Sequence, residues 1–199
     1  MTQIDETDPR PLYDRALSWV HGLLANVGPE QLTNPTPCSE YDTRALAGHL
    51  VTTVERARMI GEGGDVYSVP VVTTGFADDR LADAYAGAVA KMWAVWRDSP
   101  GADTLLDRSM KAPWGTTSGR VVLHGYVNET LVHGWDLAVA TGQDCEADPG
   151  LAEAALAMTT SILPATPRGG DVPFAPPVEP APDAGPTERL ANWCGHARP

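Results

Sequence analysis

RVVLHGYVNETLVHGWDLAVAT, residues 120–141, contains no proline and carries apolar side chains on nearly every side of a helical projection. A helix that is apolar almost all round has to be enclosed by others, so this stretch is expected to be the central, most buried element of its fold. Gly142 follows at the C′ position, where a left-handed residue closes a helix. Within the stretch Glu129 and His133 stand four residues apart, so both side chains leave one face and can grip a single cation. Spacing alone carries little weight, because five histidines and twenty-six acidic residues make about one such pair by chance. Burial carries more. The pair shares its stripe with Val122, Tyr126, Leu137 and Ala140, where a lone carboxylate is costly unless paired, protonated or metal-bound.

Outward from this helix the spacing predicts three more. Residues 11–27 place Leu12, Ala16, Trp19, Val20, Leu23 and Leu24 on one stripe and stop at Gly28-Pro29. Residues 39–42 offer N-caps for a helix over 43–60, with Leu46, His49, Leu50, Thr53, Ala57 and Ile60 inward. Leu81, Tyr85, Ala88, Met92 and Trp96 mark a third, ending before Ser99-Pro100. Residues 61–79 and 100–119 read as long irregular connections that cover one end, and 151–163 as a fifth, Ala-rich helix. Prolines between 164 and 186 keep the chain extended before a last short helix at 187–194. With no convincing strand, the expectation is an all-α four-helix bundle: one domain over residues 1–199, of which 164–199 form a Pro-rich extension packed on the bundle.

Composition narrows the function. A net charge of −12 and the lack of a basic cluster speak against nucleic-acid binding. No apolar run reaches the length of a membrane span, and the polar, acidic residues 1–10 do not resemble a secretory leader, so a cytoplasmic protein without membrane contact is expected. Cys38, Cys145 and Cys194 are odd in number and widely spaced, which indicates neither a disulfide framework nor a zinc finger.

His49 on the second helix and Glu129 with His133 on the fourth aim ligand-type side chains inward from two helices, as metal sites in bundle cores do. The plain alternatives are a His49 bonded to a carbonyl and an internal hydrogen bond within the Glu129/His133 pair. Asp136, one turn beyond His133, is placed either to orient a ligand imidazole or to sit on a solvated face. Tyr126 can donate to a substrate or simply pack. Trp114 and Gly115 precede the fourth helix and border its pocket or cover its end. His124 lies on another face, solvated or packed, and Cys38 reads as a small buried residue with no base near it in sequence.

PTPCSEYDTRALAGHL (35–50) and ExxxHGWDLAxATG (129–142), in that order, resemble the DinB-like superfamily, specifically its actinobacterial branch similar to the metal-binding N-terminal domain of mycothiol-dependent maleylpyruvate isomerase. The resemblance covers about residues 10–195. It implies an up-down-down-up bundle with a crossover at 61–79, and one divalent metal held by His49, Glu129 and His133. It also implies an open metal position for a low-molecular-weight thiol, mycothiol or bacillithiol. It does not extend to the C-terminal domain that the isomerase uses in catalysis, and that particular isomerisation is not carried over. Two imidazoles and a carboxylate suit zinc first, and nickel, iron or manganese as well. Such a set leaves a coordination position open, where a thiol is deprotonated or the pKa of water falls toward about 7. The leading expectation is a metal-dependent enzyme, a thiol S-transferase or isomerase acting on an electrophilic small molecule. A metal-dependent hydrolase or lyase using water, and a non-catalytic metal- or ligand-binding bundle, are the alternatives. The oligomeric state is left open, a homodimer being one option.

Overall fold

The computed structural model describes residues 8–170, 172 and 174–199. Residues 1–7 of the polar opening stretch, and residues 171 and 173 of the Pro-rich stretch, lie outside that description. Four long helices carry the apolar stripes: α1 (Arg10–Ala25), α2 (Thr43–Glu62), α3 (Leu81–Trp96) and α5 (Gly119–Thr141), with the short α4 (Ala102–Asp107) before the last of them. Then follow α6 (Pro149–Ile162) and α7 (Pro186–Trp193). The mostly helical character agrees with the sequence reading. No described helix is long and apolar enough to cross a membrane.

Capping chemistry marks an end of two of the long helices. Asp42 caps α2 by accepting the Ala45 amide at 2.8 Å, and Gly142 in the left-handed region closes α5. Two carbonyls at the C-terminus of α5 take donors from the loop before α2: Gln31 Nε2 donates to Thr141 O (2.8 Å) and Asn34 Nδ2 to Ala140 O (2.9 Å). α2 packs on α3 and α5, and α1 on α3 and α5. Tyr13 and Val20, Leu46 and Leu50, Tyr85 and Trp96, and Leu123 and Leu131 meet in the core between them, all without solvent exposure. α5 also touches α4, α6, α7 and two strands, as a helix apolar on all sides must.

The stretch 100–119 corrects the expectation of an irregular connection and of a chain without strands. It forms α4 and then an antiparallel hairpin, β1 (Ser109–Ala112) with β2 (Gly115–Ser118), paired Ser109 to Ser118 and Ala112 to Gly115. Met110 and Ala112 are buried while Ser109 and Lys111 are exposed. That alternation has period two, but four residues are too few to separate it from loop. In the stretch 61–79, α2 runs on through Glu62 and the rest is irregular apart from single 3-10 turns at Val66–Ser68 and Asp78–Arg80.

The connection after α2 crosses back over that helix at Gly48. The Thr73 amide donates to Gly48 O at 3.2 Å, and a Cβ on Gly48 would stand 2.4 Å from Thr73 O and 2.7 Å from Val72 Cγ1. Backbone cannot swing aside as a side-chain tip can. Gly48→Ala is therefore expected to push residues 71–73 off α2 at a cost of about 1–3 kcal/mol. Thermal denaturation would register this as a melting temperature lower by several degrees. An unchanged melting temperature would show that the crossing is loose.

Candidate functional site

His49 follows Gly48 on α2 and is buried, 8% exposed as a residue. Its Nδ1 lies 2.9 Å from the carbonyl of Val71, in the segment that the Gly48 crossing holds down. A carbonyl only accepts, so Nδ1 carries the proton and the Nε2 lone pair is free. Tyr41 stacks on the ring, centroids 4.9 Å apart at 28°. Burial, reinforced by the neighbouring His133, lowers the His49 pKa and favours the neutral ring.

From α5 come Glu129, His133 and Asp136. Asp136 has no solvent exposure, which excludes the solvated alternative. Its Oδ2 accepts from His133 Nδ1 at 3.0 Å and its Oδ1 from His196 Nδ1 at 2.9 Å. Burial works to raise the Asp136 pKa, but the two imidazole donors outweigh it and hold the group below the usual carboxylate range. The same contact turns His133 Nε2 toward Glu129, whose Oε2 is 3.6 Å away, longer than a hydrogen bond. Burial alone would depress His133, yet Asp136 and then Glu129 raise it to about 10. Glu129 is lowered: burial pushes it up, and the contact with His133 and the charges of His133, His49 and His196 pull it down further.

Thus the structure brings His49, Glu129 and His133 together. One ligand atom from each lies within 4.8 Å of the others, close to the span of two metal bonds of about 2 Å. Both imidazoles have Nδ1 engaged, one by a carbonyl and one by a carboxylate, which leaves Nε2 as the ring nitrogen available to a ligand. Once a cation displaces the proton from His133 Nε2, two nitrogen lone pairs and one carboxylate form a donor set that could hold a divalent ion.

His196 escaped the sequence reading. α7 ends in a left-handed Gly195 (φ +94), with Gly195 N donating to Asn192 O and His196 N to Ala191 O, both at 3.0 Å. This paired closure fixes the residue after the glycine, and here it swings the His196 ring onto Asp136. Gly195 directly after a short helix was the only signal, and it indicated a helix end, not a destination.

These groups open into a cavity of ≈ 780 Å³. Trp114, half exposed at the hairpin turn, packs against Tyr126 (5.7 Å between centroids) at its edge. The Tyr126 hydroxyl is buried with no partner among the described residues. Cys38 lines the cavity half-buried, and its sulfur falls within the same 4.8 Å of His133 and Asp136 ligand atoms, a proximity the linear sequence hides. Burial and the Asp136 charge push its thiol up to about 11, so it stays protonated at neutral pH. His124 is packed away from the site, its Nε2 buried without a partner among the described residues.

The sequence matches the family model described as mycothiol maleylpyruvate isomerase N-terminal domain over residues 14–138. That span holds His49, Glu129, His133 and Asp136 and stops short of α6, α7 and His196. Two curated Mycobacterium tuberculosis proteins, MT0763 and Rv0738, both named as uncharacterized, are similar to it. Each is 32% identical over 189 residues, covering 94% of this chain and 97% of the relative. No solved structure is a significant match.

The charge on His133 makes stability pH-dependent in chelator-treated protein. A folded-state pKa raised from 6.5 to about 10 contributes stability that is complete below about 6.5 and is lost as pH rises through about 10. The melting temperature should fall across that window, and His133→Gln should flatten the slope. An equally steep slope in His133→Gln would assign it to another group.

Proposed function

We propose, from the premise that this chain belongs to the mycothiol maleylpyruvate isomerase N-terminal domain family, that it is a metal-dependent enzyme using a mycothiol-type thiol to conjugate or isomerise an electrophilic small molecule. One observation carries the reading: two imidazoles from different helices, each with Nδ1 already engaged, stand with one carboxylate within the reach of a single cation. Engaged second nitrogens are what fix the tautomer and orientation of metal-binding histidines. The donor set therefore fits a divalent cation held by His49, Glu129 and His133, with zinc the first choice and nickel, iron or manganese next. When bound, such a cation supplies Lewis-acid activation that lowers the pKa of a thiol or water reaching it.

The chain's own groups do the rest. Asp136 holds the His133 ring and keeps its Nε2 aimed at Glu129, while Val71 O does the same for His49. The Tyr126 hydroxyl can donate to an oxygen of the bound molecule, and Trp114 shields the cavity edge. In the same proposal α1, α2, α3 and α5 are the four-helix up-down-down-up bundle, with the crossover between α2 and α3. The whole chain acts as one domain, residues 164–199 are its extension, and its place is the cytoplasm.

Metal analysis of the purified protein and an assay of thiol consumption test this. Wild-type protein should carry close to one metal ion per chain, and His133→Ala should lose most of both metal and activity. Asp136→Asn should weaken metal binding by about 10- to 100-fold, since it weakens the support of one ligand and leaves all three ligands in place. Full metal content in His133→Ala would defeat the proposal. Turnover of an electrophile without any thiol would replace it by the hydrolase or lyase alternative.

A further inference from the structure

Arg56 stands seven residues beyond His49 on α2, two helical turns, so both side chains leave the same face about 10 Å apart along the axis. Both line the same cavity, with Thr53 between them. The Arg56 Nε is buried with no acceptor, and the group's one hydrogen bond among the described residues is a long one, Nη2 to Val69 O at 3.4 Å. No carboxylate pairs with it among the described residues. Arg58, two positions along and on another face, pairs with both Glu55 and Glu62. In a chain with twenty-six acidic residues and a net charge of −12, a guanidinium on a cavity with no carboxylate partner among the described residues stands out. Its partial burial is an unmet cost unless something else supplies the oxygen atoms.

A positive charge in the cavity also works against a cation at the histidine end. An anion in the space between them relieves both. We propose that Arg56 is the anchor for a carboxylate on the small molecule that reacts at the His49/Glu129/His133 end, so that the cavity selects electrophiles carrying an acid group a short carbon chain from the reacting atom. The inference rests on the metal-centred reading above and adds the substrate's charge and the residue that reads it. A planar guanidinium matches two oxygens of a carboxylate in a fork. The Tyr126 hydroxyl on the cavity wall, without a partner among the described residues, offers one more donor. Glu40 and Glu129 line the same cavity and disfavour a doubly charged phosphate, which one arginine cannot balance.

Binding of succinate and of its monoamide, succinamate, to the zinc-loaded full chain tests the anchor by calorimetry. Only succinate offers a second carboxylate once the first is engaged. Wild-type protein should bind succinate about tenfold or more tightly over succinamate. Arg56→Met, which keeps the apolar stem, should lose that preference, and Arg56→Lys should recover part of it, with zinc content unchanged in both. Melting curves check folding; if Arg56→Met does not fold, the loss of preference in Arg56→Lys decides. A wild-type protein without the preference, or variants that retain it in full, would overturn the anchor. Chelator-treated protein is titrated in parallel with butyrate and butyramide. Arg56-dependent binding of butyrate there, with no zinc uptake by the wild type, would keep the anchor and remove the metal reading. Zinc uptake without an Arg56-dependent preference would do the reverse.

Discussion

A carboxylate shut off from water has to be matched by donors from its surroundings, and Asp136 imposes that condition on two distant parts of the chain. Burying an unpaired charge of this kind costs several kcal/mol, far more than the surface contacts around it return. One imidazole comes from the same helix, a turn earlier, and the other from beyond α7, sixty residues later. The C-terminal segment is therefore held against the central helix by a charge-assisted contact as well as by apolar packing. Arg198 adds to this by lying over the Trp135 ring at 5.5 Å while pairing with Glu188. The direction of His133 Nε2 is a by-product of the same bond.

The opposite wall depends on a steric condition. His49 is oriented by the carbonyl of Val71, and that carbonyl is in place because a residue without a Cβ lets the chain cross α2. Gly48 and His49 are thus one device: the first admits the backbone that orients the second. Gly48-His49-Leu50 is a packing motif as well as the stretch that brings an imidazole inward.

Much of this was legible in the sequence. The stripes on four helices, the i, i+4 pair on α5 and the inward His49 all follow from periodicity, and the structure places the three side chains within reach of one another. Other parts were not legible for physical reasons. A helix that is apolar all round has no solvated face against which to place Asp136, so its burial had to come from the neighbours. The hairpin before α5 uses strands of four residues, too short for a period to declare itself. His196 reaches the site across a Pro-rich segment that carries no periodicity. Arg56 looks ordinary in sequence, since the lack of a carboxylate partner is a property of three-dimensional neighbours.

The two imidazoles are not equivalent, and the difference sets the charge of the whole cavity. His49 leans on a neutral carbonyl and is pushed toward its neutral form; His133 leans on a carboxylate and is raised to about 10. At neutral pH one proton on His133 thus offsets only one of the two charges on Glu129 and Asp136. A dication in place of that proton would balance both. Arg56 would then remain without a carboxylate partner among the described residues, Glu40 on the same cavity being exposed to solvent, and a single anionic group on the bound molecule would pair with it. A metal ion and a carboxylate-bearing ligand complete one balance, each being favoured by the charge that the other leaves over.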